Sequence, residues 1–92
     1  MKYEITHAKS FKKNFKKLSL KDQELVIQVL ARLANDEKLE PKYNDHALQG
    51  RLKGCRDCHI KPNLVLIYQK RDDILELLAL DIGSHSELFL SE

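Results

Sequence analysis

The stretch GCRDCHIKPNLVLIYQKRDDILELLALDI, residues 54–82, decides the fold. Three runs in it have the apolar content and length of strands, namely residues 54–60, 64–70 and 74–82. The links between these runs, residues 61–63 and 71–73, are short and contain turn-forming residues. Because such short links join antiparallel neighbours, the stretch predicts two consecutive β-hairpins.

The segment before this stretch predicts one strand and two helices. Residues 2–6 alternate polar and apolar positions, as a short strand does. An i, i+4, i+7 apolar pattern over residues 11–18 predicts a lysine-rich helix of about three turns. Ser19, with an acid three positions later, is a helix N-cap pattern, and the helical period then continues to Asn35.

The predicted fold class is α+β, with a small antiparallel sheet of about four strands and a two-helix hairpin on one face. The order is strand, helix, helix and three strands, with a long loop over residues 36–50. In the last strand, alternation puts Leu75, Leu77 and Ala79 on one face, and Ile74, Leu78, Leu80 and Ile82 on the other. The second apolar face therefore needs a cover of its own, from the loop, the C-terminal tail or a partner protein.

Length and composition predict a single globular domain over residues 1–92. The chain has 92 residues, of which 42% are apolar and 33% charged. It has no N-terminal apolar run of the signal-peptide or membrane-span type. We therefore expect a cytoplasmic protein without a membrane partner.

The positive charge is concentrated in two islands, although the net charge is only +2. Residues 1–21 hold seven lysines and one acid, Glu4, so the remaining residues are acidic in sum. Within that remainder a second basic island stands out, formed by Arg51, Lys53, Arg56 and Lys61 around Asp57. Two such islands favour contact with phosphates, although a lysine-rich helix face can also be a solvated surface and no more.

Cys55 and Cys58 have the C-x-x-C spacing of zinc and redox motifs, but their context favours neither. A zinc site needs about four ligands, and no second cysteine pair exists. A redox pair opens a helix, whereas these residues lie in a predicted strand. Both are predicted to be ordinary small residues in the core or half-buried, and no metal is expected.

Three histidines occupy segments that the predicted fold brings towards one edge. His46 lies in the long loop, His59 in the first hairpin strand, and His85 just after the last strand. Imidazole titrates near neutral pH and suits proton transfer. The fourth histidine, His7, follows the first strand and is predicted to be structural.

Several motifs in order resemble the YafQ-like branch of the RelE/ParE toxin superfamily. They span about half of the chain, residues 45–89, and consist of DHALQG at residues 45–50, KGCRDCHI at 53–60, Pro62, LIY at 66–68 and GSHSELF at 83–89. The resemblance implies the toxin of a type II toxin–antitoxin system, a ribosome-dependent messenger RNA interferase without a cofactor. It also implies a cognate antitoxin, messenger RNA and the ribosome as partners, with operator DNA bound through the antitoxin.

The resemblance implies that His46, His59 and His85 are the catalytic set and that Phe89 contacts RNA. Without a metal, RNA cleaves when its 2′-hydroxyl is deprotonated, the phosphorane charge is neutralised and the departing 5′-oxygen is protonated. His85 is the first choice for the general acid, and His59 or His46 for the base or the phosphate stabiliser.

Further residues are candidates for lining the site. Lys53, Arg56 and Lys61 are expected to supply positive charge to the RNA. In a regular strand, however, Arg56 and His59 point to opposite faces, so both line one site only if a bulge separates them. Asp57 shares the face of His59, where it either orients that ring or is a plain surface acid.

The chain departs from the family pattern after Lys61-Pro62. The family typically has aspartate and tryptophan there, whereas this chain has Asn63 and Leu64. Asparagine cannot take a proton at neutral pH, so Asn63 cannot perform an acid–base role at this position.

Two rival functions share these features. A ParE-like toxin inhibits a topoisomerase by binding and cuts no RNA. A plain protein-binding or RNA-binding module would hold its histidines for structure alone, and the fold does not exclude this.

Asn63→Asp is expected to shift the alkaline limb of the pH–rate profile upward, because a carboxylate raises the pKa of a neighbouring imidazole. Asn63→Ala should cost little beyond one hydrogen bond, about 1 kcal/mol. Single-turnover cleavage on programmed ribosomes, followed from about pH 5.5 to 8.5, measures both effects. An unchanged rate and profile in Asn63→Asp would leave position 63 as a turn residue.

Overall fold

The computed structural model describes residues 1–89 as a five-stranded sheet with helices on it. Its elements in chain order are β1 (Glu4–His7), α1 (Lys9–Phe15), α2 (Leu20–Ala34), β2 (His46–Ala47), β3 (Arg56–Lys61), β4 (Leu64–Arg71), β5 (Glu76–Gly83) and α3 (His85–Phe89). Two short 3₁₀ turns, Pro41–Tyr43 and Gly50–Leu52, flank β2. The α+β class and the two central hairpins are confirmed.

The sheet is mixed, with the strand order β1-β5-β4-β3-β2. The hairpins β3–β4 and β4–β5 are antiparallel, but β1 pairs with β5 in the parallel sense, with Ile5 opposite Leu77. The sheet therefore has five strands where about four were predicted, and its β1–β5 pair is parallel where antiparallel pairing was predicted. Parallel neighbours need a long connection, and the chain between β1 and β5 contains both helices and the strands β2, β3 and β4.

The helices bury one apolar stripe each against one face of the sheet. Ser19 caps α2 as predicted, because its hydroxyl accepts a hydrogen bond from the Asp22 backbone N–H at 3.1 Å. The core joins helix and strand residues that are almost fully buried, among them Phe11, Val26, Leu30, Leu33, Cys58, Leu66, Tyr68, Leu77 and Ile82. Burying a side chain of this size stabilises the fold by about 1.5 to 3 kcal/mol.

A β-bulge in β5 changes which residues face the core. The register with β4 shifts between Ile67 and Tyr68, so Ile67 lies opposite Asp81 while Tyr68 lies opposite Ala79. Because the bulge inserts one extra residue, the alternation reverses beyond it. Ile82 therefore joins Leu77 and Ala79 in the core, and its predicted placement on the opposite face was wrong.

The second face of the sheet also has buried residues. Val65 and Ile67 alternate along β4 with the core residues and are buried, although they lie outside the main core cluster. The short helix α3 packs against β5. Among residues 1–89, no helix combines the length and apolar character needed to cross a membrane.

Leu75→Gly is expected to raise the free energy of unfolding by about 0.5 to 1 kcal/mol. Leu75 has φ +51°, a left-handed conformation that favours glycine, and its side chain is 48% exposed. The matched control is Ile74→Gly, in which a 61% exposed neighbour without a positive φ loses its side chain. Chemical unfolding should show a gain for Leu75→Gly and a loss for the control, and equal losses would contradict the prediction.

Candidate active site

The sheet register brings three histidines to one side of the molecule. His46 in β2 lies directly opposite Asp57 in β3. His59, two residues further along β3, lies opposite Val65, which in turn lies opposite Gly83 at the end of β5. His85 follows two residues later as the first residue of α3. His7 stays apart, because its ring stacks on Phe11 with the centroids 5.3 Å apart.

Asp57 is the common neighbour of these three histidines. Its side chain is buried, with the residue only 2% exposed, so the surface-acid alternative was wrong. Burial raises the pKa of Asp57 above its usual value, while the nearby charges of His46, His59 and His85 act to lower it. A buried carboxylate under the influence of three imidazoles is the arrangement that tunes acid–base groups.

His46 and Asp57 lie within ion-pair distance of each other but do not form a hydrogen bond. His46 Nδ1 lies 3.3 Å from Asp57 Oδ1 but only 2.7 Å from the backbone oxygen of Asn44. Asp57 Oδ1 is accordingly a buried acceptor without a hydrogen-bond partner among residues 1–89. Because a carbonyl oxygen can only accept, His46 Nδ1 donates to Asn44, and in the neutral ring Nε2 is left as the proton acceptor.

A reciprocal capping box fixes the start of α3 and therefore the position of His85. The Ser84 N–H donates to Glu87 Oε1 at 2.8 Å, and the Glu87 N–H donates to Ser84 Oγ at 3.2 Å. The His85 ring packs on the Phe89 ring with the centroids 4.6 Å apart. A Cβ at Gly83 would lie only 3.1 Å from Glu87 Oε1. Glycine at this position therefore leaves space for the Glu87 carboxylate.

Two of the predicted RNA-binding residues lie away from the histidines. The Arg56 guanidinium donates to Asp45 Oδ1 at 3.1 Å, beside Tyr68 on the face that holds the helices. The bulge in β3 lies between His59 and Lys61, beyond the Arg56–His59 pair, so the structure does not bring Arg56 to the site. The Lys61 ammonium group instead donates to Asp22 of α2 at 3.1 Å.

The remaining candidates lie on exposed or half-exposed segments. Lys53 is exposed just after the second 3₁₀ turn, and Asn63 is exposed in the two-residue turn between β3 and β4. Phe89 packs its ring on the ring of His85, a histidine of the cluster. The roles assigned to these residues stay predictions.

Sequence reasoning missed a polar cluster next to His46. The Tyr68 hydroxyl donates to the Asp45 carboxylate, with its oxygen 2.7 and 2.8 Å from Oδ1 and Oδ2. Burial, followed by this carboxylate, raises the pKa of Tyr68 well above its usual value, so the hydroxyl remains a donor at neutral pH. The available signal was the presence of both residues in the motifs DHALQG and LIY.

The cysteines do not form a reactive pair. Cys58 lies in the core, as predicted, and burial raises the pKa of its thiol. Cys55 is half-buried, and burial raises the pKa of its thiol as well. Among the described residues 1–89, no group of three or more His, Cys, Asp and Glu side chains has an arrangement suited to a metal ion.

The fold and the histidine cluster agree with a class of bacterial toxins. The sequence model described as "Bacterial toxin of type II toxin-antitoxin system, YafQ" matches residues 3–90. This match places the chain among the toxins of type II toxin–antitoxin systems. Within that class, the chain belongs to the YafQ family.

Three relatives illustrate the similarity. The mRNA interferase toxin YafQ of Escherichia coli K12 is 42% identical over 55 residues, which are 60% of this chain and 58% of that protein, less than two thirds of its length. A metal-bound toxin from Helicobacter pylori is 42% identical, with a TM-score of 0.85 over 95% of this chain and 99% of that one. YafQ in the E. coli DinJ–YafQ complex is 32% identical, with a TM-score of 0.82 over 95% of this chain and 98% of that one.

Asp57→Asn is expected to raise the free energy of unfolding at pH 7 by about 1 kcal/mol, as substitutions of strained functional groups often do. Because the pKa of Asp57 is raised, the folded chain binds its proton more tightly than the unfolded chain does. Protonation of Asp57 therefore stabilises the folded chain. This contribution to the free energy of unfolding is complete below about pH 4, near the pKa of a free aspartate, and is lost as the pH rises through the raised pKa of Asp57.

The advantage of Asp57→Asn over the native chain should therefore grow between about pH 4 and pH 7. Urea unfolding at several pH values measures it, with the exposed Asp73 in the β4–β5 turn as the control position. Asp73→Asn should stay within about 0.5 kcal/mol of the native chain throughout. A lower stability of Asp57→Asn at pH 7 would show that the buried carboxylate stabilises the fold.

Proposed function

We propose that this chain is a ribosome-dependent, metal-independent endoribonuclease that cuts messenger RNA as the toxin of its toxin–antitoxin pair. The observation that carries the proposal is the convergence of three imidazoles around one buried carboxylate, Asp57. The name of the E. coli relative, an mRNA interferase, supports the same activity. A toxin that only binds its target has no need of three proton-transfer groups on one side of its sheet.

The proposed reaction is transesterification within the RNA strand. A base removes the proton of the 2′-hydroxyl, and the 2′-oxygen attacks the adjacent phosphorus. The bond from phosphorus to the 5′-oxygen of the next nucleotide breaks, and an acid protonates that departing oxygen. The products are a 2′,3′-cyclic phosphate and a free 5′-hydroxyl, so the proton balance closes without a metal.

His46 is the base in this scheme, because its Nδ1 donates to the Asn44 carbonyl and leaves Nε2 to accept the proton. His85 is the acid, carried on α3 next to Phe89, whose ring can stack on a base of the RNA. His59 lies between these two along the sheet and stabilises the phosphorane charge. Asp57 holds the positive charge of the imidazoles when they are protonated.

The partners follow from the family and the charge pattern. E. coli YafQ has been solved in a complex with DinJ, and we propose a corresponding antitoxin for this chain. We further propose that the complex of this chain with its own antitoxin binds operator DNA through the antitoxin. The lysines of α1 and of the segment after it form a basic surface suited to ribosomal or messenger RNA phosphates.

His85→Ala is expected to lower single-turnover cleavage on programmed ribosomes by about 10²- to 10⁴-fold, the usual contribution of a proton-transfer group. The matched control is His7→Ala, because His7 is also exposed but stacks on Phe11 away from Asp57. Primer extension should map new 5′ ends with the native chain and with His7→Ala. EDTA should leave the rate unchanged under conditions that preserve the ribosomes.

Three outcomes would contradict this proposal. Full activity of His85→Ala would remove the general acid, and equal losses in both histidine variants would point to damage of the fold. Growth arrest without any new 5′ ends would favour the topoisomerase-binding alternative.

A further inference from the structure

Asp45 ties the segment before β2 to the buried part of the sheet. Its carboxylate accepts hydrogen bonds from the Tyr68 hydroxyl at 2.7 and 2.8 Å and from Arg56 Nε at 3.1 Å, and its backbone oxygen accepts from Arg56 Nη2 at 3.4 Å. Tyr68 is only 1% exposed, so one end of this contact is fixed in the core. We call these three residues the Asp45 clasp.

The clasp and the candidate site occupy adjacent rows on opposite faces of the sheet. Ala47, Arg56 and Tyr68 lie opposite one another in one cross-strand row, while His46, Asp57 and Ile67 form the next row. Because side chains alternate along a strand, Asp45 shares the face of Arg56 and Tyr68, while His46 points to the other side. The hydrogen bonds that hold the Asp45 side chain therefore also hold the backbone orientation in which His46 points towards Asp57.

The strand that carries His46 has few restraints of its own. β2 is two residues long and pairs with β3 at two positions, and the Leu48 N–H extends this pairing by donating to the Cys55 oxygen at 3.0 Å. The His46 side chain is 46% exposed, so packing around the ring restrains it only in part. A strand this short needs an outside anchor to keep a side chain within a few tenths of an ångström.

We propose that Tyr68 and Asp45 are positioning residues that hold His46 at its place beside Asp57 and thereby set the rate of cleavage. The proposal rests on the proposed role of His46 as the base. It gives a function to two family motifs, DHALQG and LIY, whose residues Asp45 and Tyr68 take no part in the chemistry itself.

Tyr68→Phe removes the hydroxyl and keeps the ring that fills the core. Loss of a hydrogen bond to a carboxylate is expected to lower the single-turnover rate about tenfold or more, with ribosome affinity unchanged. In the His46→Ala background the same substitution should have no further effect on the rate, because it acts through His46. A merely structural role would lower the rate by the same factor in both backgrounds.

Tyr3→Phe is the matched control. Tyr3 is another buried tyrosine, 4% exposed, whose hydroxyl donates to an aspartate, Asp72. Its substitution should lower the thermal midpoint to a similar extent as Tyr68→Phe and leave the cleavage rate unchanged. A rate loss of equal size in Tyr3→Phe would overturn the positioning role.

A second measurement does not depend on catalysis. Native-state hydrogen exchange of the Leu48 amide reports the opening of β2, and it should speed up about tenfold in Tyr68→Phe and stay unchanged in Tyr3→Phe. Faster exchange at Leu48 in a chain that cuts no RNA would refute the proposed function and leave the anchoring of β2 standing. Unchanged exchange, or an unchanged rate in Tyr68→Phe while His46→Ala is inactive, would overturn the clasp.

Discussion

The pairing of β3 with β4 is the constraint on which the other features depend. It sets Cys58 opposite Leu66 on the face that packs on the helices, and Asp57 opposite Ile67 on the face of the histidines. A shift of this register by one residue would put the carboxylate into the apolar core and expose the core residues instead. The burial of the core residues therefore also fixes the geometry of the site, because a shifted register would lose both the packed core and the position of Asp57.

The histidine side of this sheet carries a buried carboxyl group whose charged form is disfavoured by burial. Asp57 is buried, one of its oxygens has no hydrogen-bond partner within residues 1–89, and burial raises its pKa. A chain optimised for stability alone would place an apolar residue there, next to the buried Ile67. The retention of a carboxylate at this position is understandable if its interaction with the imidazoles has a use, as the proposed reaction provides.

Much of the fold was predictable because local patterns determine it. The two hairpins followed from short turn-forming links, α2 from its period and the Ser19 cap, and the grouping of the histidines from the hairpin order. The parallel pairing of β1 was not predictable, since it joins distant segments without a local signature. The bulge near Asp81 also has no sequence signal, and it alone reversed the predicted face of Ile82.

The capping box of α3 and the contact between Asp45 and Tyr68 differ in how far the sequence predicts them. The capping box of α3 was visible as Ser84 and Glu87 at the required spacing, so this helix was open to prediction from the sequence. The contact between Asp45 and Tyr68 was not, because the motifs mark both residues but nothing in the sequence pairs a buried hydroxyl with an acid 23 positions away. Long-range polar contacts depend on the packed geometry, which only the assembled sheet defines.

The parallel strand pair has a consequence for how this chain is made. β1 is synthesised before its hydrogen-bonding partner, β5. The Thr6 hydroxyl, for example, donates a hydrogen bond to the carboxylate of Glu76, 70 positions later in the sequence. A nascent chain thus carries an unpaired first strand and an uncovered pair of helices until almost the whole sheet has left the exit tunnel. Because His85 follows β5 directly, the segment that completes the sheet also completes the histidine cluster. The histidine cluster can therefore assemble only when the whole sheet, from β1 to β5, is available to fold.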